Sequence, residues 1–150
     1  PAEPSRKFAD RFRERTIFVQ NQQRWRTVRD AIADLPKPGS DSNILNHQQQ
    51  PGARSYPGHT GSRLDEPAKT LKAGDHGVPG GENTILYPDG RLRYMTVRES
   101  ARLQTFPDRF IFAGSWSENM RQLGNAVPAK LGETVALHIR NCLLEKQSAV

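Results

Sequence analysis

The sequence lacks the cysteines from which a disulfide framework or a thiolate metal site is built. Its 150 residues contain one cysteine, Cys142, so no disulfide can form within the chain. The four histidines are not spaced like the ligands of a metal site. We therefore predict no bound metal, and we expect a reducing, intracellular environment.

Long apolar runs are also missing. Only 35% of the residues are hydrophobic, and 12 glycines and 11 prolines interrupt the chain. No run approaches the roughly 18 apolar residues from which a membrane-spanning helix is recognised. The composition predicts a loop-rich chain without a membrane span, and we expect a cytoplasmic protein.

Acidic residues are outnumbered by basic ones. The chain has 22 lysines and arginines against 16 acidic residues, which gives a net charge of +6. A basic surface suits a polyanionic partner, although charge that only keeps the protein in solution is the alternative. Arginine outnumbers lysine, which favours contacts with phosphates and base edges. The charge therefore favours a nucleic acid as the partner.

Two helices are predicted between residues 96 and 128. Thr96 and Glu99 have the spacing of a capping box, in which each side chain accepts a hydrogen bond from the other residue's backbone N–H. Ser115 and Glu118 repeat this spacing. Each pair therefore predicts the start of a helix.

The end of the chain is predicted to form a third, amphipathic helix. Gly124 is expected to follow the preceding helix as its C′ residue. The new helix would run from about Pro128 to Leu144, because proline suits a first helical turn. Its apolar side chains recur every four residues, at Leu131, Val135 and Ile139. Such a stripe must pack against another part of the protein.

The first half of the chain is predicted to hold a helix, a long loop and a hairpin. The helix covers residues 27–35 and is capped by its first residue. Residues 37–62 are rich in turn-forming sequences, and they form either a disordered connector or a loop that orders on DNA. Strands are predicted at residues 84–87 and 91–95, on either side of a Pro-Asp-Gly turn, and residues 68–71 are expected to be extended. These elements predict an α+β fold with antiparallel strands.

Two segments of the sequence are long and distinctive. RESARLQTFPD occupies residues 98–108, and QLGNAVPAKLGE occupies residues 122–133. Both resemble, in order and separation, the last two motifs of the DNA (cytosine-5) methyltransferase family. In that family the first motif braces the target-recognition domain, and the second returns to the catalytic domain beside the S-adenosylmethionine pocket. The resemblance implies the C-terminal part of such an enzyme.

The resemblance also implies an architecture. It predicts an α+β fold in which a small, loop-rich target-recognition domain is followed by a C-terminal helix that packs on a Rossmann-like α/β catalytic domain. The expected segments are a basic segment ending a catalytic-domain strand motif (1–26), the target-recognition domain (27–95) with a flexible loop (37–62), the bracing motif (96–109) and the segment returning to the catalytic domain (110–150).

Individual residues receive functions from the same resemblance. Thr70 and Leu71 match a Thr-Leu pair whose threonine contacts the DNA backbone at the flipped base, and the glycine-rich loop after them matches a loop that enters the major groove. The residues expected to bind DNA are Thr70, Leu71, Lys72, Gly74, Asp75, His76 and Gly77. The residues expected to border the cofactor are Asn125, Ala126 and Val127. A bracing function is expected of Arg98, Glu99 and Arg102.

A further segment near the start resembles a family strand motif of the form Gln-x-Arg-x-Arg. The sequence RFRERTIFV places Arg13 and Arg15 at the two arginine positions, whereas Arg11 replaces the glutamine. Arg15 would then lie near O2 of the flipped cytosine, where a guanidinium can stabilise negative charge on the ring. The alternative is a basic arm that touches only phosphates.

The catalytic residues of the family are missing from this sequence. Methylation at C5 needs a thiolate that attacks C6 of cytosine. The family's Pro-Cys dipeptide and Glu-Asn-Val segment are both absent. Cys142 follows Asn141 and is expected to be structural or inert. By itself, the chain is therefore expected not to methylate DNA.

The leading hypothesis is a recognition part that binds duplex DNA and completes the S-adenosylmethionine pocket. The catalytic residues would lie in a missing N-terminal portion of a longer bacterial enzyme, or in a separate subunit of a split one. One alternative is a stand-alone DNA- or RNA-binding protein. Another is a scaffold whose terminal helix only docks a partner, which predicts no salt-dependent binding of nucleic acid.

Overall fold

The computed structural model describes residues 24–41, 43–55, 57–73 and 81–148. These residues form four α-helices and three short strands. In chain order the elements are α1 (Val28–Ile32), β1 (Ser62–Arg63), β2 (Thr84–Leu86), β3 (Leu92–Tyr94), α2 (Val97–Leu103), α3 (Trp116–Asn125) and α4 (Ala129–Ser148). A 3-10 turn, Gly81–Asn83, leads into β2.

The three strands form one sheet in the order β1-β2-β3. The predicted hairpin is confirmed, since β2 and β3 are antiparallel and Thr84 pairs with Tyr94. The expectation that all strands are antiparallel is wrong, because β1 runs parallel to β2 and pairs Ser62 with Ile85. The segment between these two strands is long enough for the crossover that a parallel pair requires. Residues 68–71, expected to be extended, form no strand.

The first and second helices begin as the sequence predicts. Asp30 N donates to Thr27 Oγ1 at 3.2 Å, and Thr27 N donates to Asp30 Oδ2 at 2.9 Å. The same box recurs at α2, where Glu99 N donates to Thr96 Oγ1 at 3.1 Å and Thr96 N donates to Glu99 Oε2 at 2.8 Å. These reciprocal bonds satisfy backbone N–H groups that have no partner within a helix. The first helix is shorter than predicted and ends at Ile32.

The third helix forms one of the two hydrogen bonds of its predicted capping box. Glu118 N donates to Ser115 Oγ at 3.3 Å, but the Glu118 carboxylate pairs with Arg121 instead of the cap. The assignment of Gly124 as a C′ residue is wrong, because α3 continues through Asn125. Extended backbone at Ala126 ends the helix, so no left-handed glycine is needed.

The core lies where α1, α2 and α3 meet the sheet. Its buried residues come from the three helices, from the sheet and from the segments between them: Val28, Ala31, Ile32, Leu71, Ile85, Met95, Val97, Ala101, Phe112, Met120 and Leu123. The last helix lies outside this core. It covers the predicted range, but its large apolar side chains are exposed: Leu131, Val135, Leu137, Ile139, Leu143 and Leu144.

Part of the long loop packs against α2. His47 is buried, with Nδ1 2.9 Å from Thr96 Oγ1 and Nε2 2.9 Å from the carbonyl oxygen of Pro36. Asn46 exchanges two hydrogen bonds with the backbone of Phe112, at 2.9 Å and 3.0 Å. Around these residues the loop is therefore held against α2 and the segment that follows it.

Candidate functional site

A buried ion pair joins the hairpin to α2. Arg93 Nη2 lies 2.6 Å from Glu99 Oε1, and Nη1 lies 2.7 Å from Oε2, so the pair is bidentate. Arg93 Nε also donates to the hydroxyl of Tyr87 at 2.8 Å. Burial opposes the charge of Arg93, but the hydrogen bonds and charge of Glu99 outweigh it and raise the pKa of Arg93. The same carboxylate caps α2, so Glu99 fixes the hairpin to the start of the helix.

Arg98 fixes the long loop to the segment after α2. Its side chain is 2% exposed, and it donates to the carbonyl oxygens of Leu45 at 3.2 Å and Phe110 at 2.9 Å. The backbone N–H of Arg98 donates to Asn46 O at 2.8 Å. Burial lowers the pKa of Arg98, and the carboxylate of Asp108, 3.8 Å away, opposes this effect. Arg98 therefore serves mainly as a buried hydrogen-bond donor.

Arg102 fixes α2 to the end of α1. It makes a bidentate pair with Asp108, at 2.9 Å and 2.6 Å, and a further contact with Asp34 at 2.5 Å. Hydrogen bonds to Asp108 and Asp34 raise the pKa of Arg102, and Arg102 holds the pKa of each carboxyl below its ordinary value. All three residues predicted to brace the fold thus lie on one short helix and reach three different segments.

The residues predicted to bind DNA fall into two groups. Thr70 and Lys72 are exposed, whereas the side chain of Leu71 is 6% exposed and belongs to the core. The side chain of Leu71 therefore packs in the core, and only its backbone is left for the predicted contact with DNA. The other predicted residues lie outside the described part of the chain: Arg15, Gly74, Asp75, His76 and Gly77.

Lys72 is held by a residue that the sequence did not single out. Glu82 accepts from Lys72 Nζ at 3.2 Å and from His59 Nδ1 at 2.8 Å. Burial alone would raise the pKa of Glu82, but hydrogen bonds from its own backbone, Lys72 and His59 outweigh this and lower the pKa below its ordinary value. The three residues are too far apart in sequence for spacing to have revealed the cluster. Glu82 therefore holds the ammonium group of Lys72 against the 3-10 turn that leads into β2.

The predicted cofactor border follows directly from α3. Asn125 is the last residue of the helix and is exposed, and Val127 is 65% exposed. Between them, Ala126 N donates to Leu123 O at 3.2 Å. The amide and the apolar side chain are therefore open to a ligand, while the backbone between them is held in place.

The start of α4 is fixed to the end of α2. Gln104 Nε2 donates to Leu123 O at 2.9 Å, and Gln104 O accepts from Ala129 N at 3.0 Å. The backbone of Thr105 has a φ of +60°, which is unusual for a β-branched residue, and its hydroxyl accepts from Lys130 N at 2.9 Å. The two distinctive sequence segments are therefore in direct contact through residues 104 and 105.

The described residues contain neither a membrane-spanning helix nor a metal-binding cluster. Among these residues, no helix is long and apolar enough to cross a membrane, and no group of three or more His, Cys, Asp or Glu side chains could hold a metal ion. Cys142 is exposed on α4, with Sγ 3.7 Å from His138 Nε2.

A family model matches nearly the whole chain, and individual known proteins resemble more than half of it. The family model "C-5 cytosine-specific DNA methylase" matches residues 3–141. The type II methyltransferase M.AplI of Arthrospira platensis is 43% identical over 86 residues, which is 57% of this chain and 25% of the relative. M.MthTI of Methanothermobacter thermautotrophicus is 33% identical over 144 residues, 78% of this chain and 44% of the relative. M1.HphI of Haemophilus parahaemolyticus is 34% identical over 145 residues, which is 82% of this chain and 39% of the relative.

This chain spans less than half the length of each of these three relatives. The family model nevertheless covers most of the chain, including both distinctive segments and the elements between them. The chain belongs to the C-5 cytosine-specific DNA methylase family.

Proposed function

We propose that this chain is the target-recognition and closing part of a DNA cytosine-5 methyltransferase. Such an enzyme transfers a methyl group from S-adenosylmethionine to C5 of cytosine in duplex DNA. The observation that carries the proposal is that the segment with the exposed Thr70 and Lys72 lies against Gly124 of α3, directly before the exposed Asn125 and Val127. One face would then contact DNA, and the adjacent one would border the cofactor.

The DNA contact would use Thr70 and Lys72. A hydroxyl and an ammonium group are both common donors to phosphate oxygens, and such contacts position a protein on a duplex without reading its sequence. Glu82 holds the ammonium group of Lys72 in an ion pair. Binding of a phosphate would compete with that ion pair, so Glu82 would orient the lysine and also moderate its affinity.

The cofactor contact would use residues 125–127. The exposed amide of Asn125 can hydrogen-bond a polar end of S-adenosylmethionine, and the exposed Val127 can pack on an apolar part of it. When bound, the cofactor supplies the methyl group. These residues offer one border of a pocket, and we place the remainder in the catalytic portion of the enzyme.

The apolar face of α4 would pack on that catalytic portion. Its leucine, valine and isoleucine side chains are exposed and lie outside the described core, and burying each one would contribute about 1.5–3 kcal/mol. A Rossmann-like α/β domain, covered by helices, would accept such a face.

The nucleophile would also belong to the catalytic portion. Cys142 is the chain's one cysteine, lies beyond the residues that match the family model, and is displayed on α4 rather than beside Thr70. We therefore infer that the chain alone does not transfer methyl groups and contributes DNA binding and part of the cofactor pocket.

Reconstitution tests the proposal. This chain is mixed with the catalytic portion of the enzyme, and transfer of labelled methyl groups from S-adenosylmethionine to duplex DNA of varied sequence is measured. We expect transfer by the mixture and none by either component. Absence of transfer across all sequences would contradict the proposal. Mapping the modified base would also give the recognised sequence.

A second measurement tests the DNA contact itself. We expect Lys72→Ala to weaken DNA binding by the assembled enzyme at all sequences and to lower the slope of log affinity against log salt by about one. Arg109→Ala is the matched control, since Arg109 is also basic and exposed but lies between α2 and α3. Equal effects of the two substitutions would show that only net charge matters.

A further inference from the structure

Gly124 in the last turn of α3 lies against the backbone of the segment proposed to contact DNA. A Cβ atom at this position would be 2.4 Å from Ala73 N, 2.6 Å from Lys72 C and 3.0 Å from Ala73 Cα. All three atoms belong to the backbone, so no change of side-chain conformation can relieve the overlap. Only a displacement of α3 or of residues 72–73 can.

Both sides of this contact are anchored. Leu71 is buried in the core together with Met120 and Leu123 of α3. Leu123 O in turn accepts from Gln104 Nε2 at 2.9 Å, which fixes the end of α3 to the end of α2. Interiors packed in this way do not deform continuously, so a displacement at Gly124 must be transmitted to one of its neighbours.

We propose that Gly124 is a positioning residue of the methyltransferase. It sets the distance between residues 70–73, which include the DNA-contacting Thr70 and Lys72, and the cofactor-bordering residues 125–127. Gly124 touches neither substrate and acts only through the backbone that lies against it. This inference rests on the proposed function, because it assigns a consequence to the contact between those two segments.

The chain contains a matched control for a substitution at this position. Gly124 and Gly132 both lie inside helices with ordinary backbone angles, but a Cβ at Gly132 would meet nothing within 4 Å. Alanine has the higher helix propensity, so each Gly→Ala change favours its own helix. Any difference between the two variants of the chain therefore reports the contact with residues 72–73.

The first test uses the chain alone and does not depend on catalysis. Backbone amide chemical shifts of Leu71, Lys72 and Ala73 are measured by NMR in the wild type, Gly124→Ala and Gly132→Ala. We expect these three amide signals to shift in Gly124→Ala alone, with the signals of α2 unchanged. Unchanged signals of residues 71–73 in Gly124→Ala would overturn the proposal, because the segment would then not depend on the absent Cβ.

The second test uses the assembled enzyme. For Gly124→Ala we expect a higher KM for DNA, an unchanged KM for S-adenosylmethionine, and a fall in kcat/KM for DNA on the order of 100-fold, the cost of misplacing a positioned group by about 1 Å. Leu71→Ala loosens the same segment from its core side. This variant should likewise raise the KM for DNA and leave the KM for S-adenosylmethionine unchanged.

Each contrary result has a distinct meaning. A fall in kcat with both KM values unchanged would indicate fewer folded molecules and would overturn the positioning role. An unchanged KM for DNA in both variants would also overturn the positioning role. If the wild-type mixture transfers no methyl group, the proposed function itself fails, and the inference fails with it.

Discussion

The shortest helix of the second half of the chain is buried, and its longest helix is exposed. Five of the seven residues of α2 are buried, among them the charged Arg98 and Glu99. The twenty residues of α4 include a row of leucine, valine and isoleucine side chains, each more than 40% exposed. Hydropathy alone would predict the opposite arrangement.

The two helices differ in the groups that face their side chains. Each buried charge on α2 meets an oppositely charged group or a backbone carbonyl, and these contacts offset the loss of hydration. The apolar face of α4 meets no comparable surface among the described residues. Whether a side chain is buried therefore depends on the groups that face it. The helix that satisfies its polar groups is part of the core, and the other lies outside it.

The largest effect is expected from removing one member of the buried ion pair. Glu99→Ala leaves the guanidinium of Arg93 buried without its partner and removes half of the capping box. We expect the free energy of unfolding to fall by about 3–5 kcal/mol. Urea denaturation of the chain measures this. Glu133→Ala on the exposed α4 is the control, and similar losses in the two variants would contradict the contrast between the helices.

A smaller loss is expected for Arg98→Met. The substitution keeps an apolar stem of similar length but leaves the carbonyl oxygens of Leu45 and Phe110 without their donor, which we expect to cost about 2–3 kcal/mol. Hydrogen exchange should increase around residues 43–47. The exposed Arg109→Met provides the comparison. If exchange in the loop stays the same, another contact holds it to α2.

An exposed ion pair on α3 is expected to contribute less than the buried pair on α2. Hydrogen bonds from Arg121 and Gln122 lower the pKa of Glu118 to about 2. Because the pKa is lower in the folded state, the stabilisation is present above the ordinary value of 4.5 and is lost as the pH falls through about 2.

The wild type and Glu118→Gln measure this contribution. Their free energies of unfolding should differ at neutral pH, converge as the solution is acidified, and differ less at high salt, because exposed pairs are screened. A difference that persists unchanged at pH 2 would show that the carboxylate charge is not its source.

The smallest effect on the chain itself is expected for Val135→Asp on α4. Because this side chain is exposed, the free energy of unfolding should change by no more than about 0.5 kcal/mol. Association with the catalytic portion should nevertheless be lost. Thermal unfolding and a binding titration separate the two effects. A strongly destabilised chain would mean that the helix packs on its own core after all.

Much of the local structure was predictable from the sequence, whereas the contacts between segments were not. The capping boxes at Thr27 and Thr96 depend on residues three positions apart, and the hairpin depends on one short turn. The parallel pairing of β1 had no such signal, because strand partners are chosen by the packing of the whole sheet. The burial of Leu71 inside a segment assigned to DNA was missed for the same reason.

The sequence by itself determined the helix starts, the hairpin, the basic charge and the two segments that resemble the methyltransferase motifs. These properties depend on residue type and on spacings of a few residues. Only the tertiary structure decided that Glu82 holds Lys72, that Arg98 fixes a distant loop, and that Gly124 needs to be glycine. Each of these depends on which atoms lie opposite one another in space, and in this chain those atoms come from segments far apart in sequence.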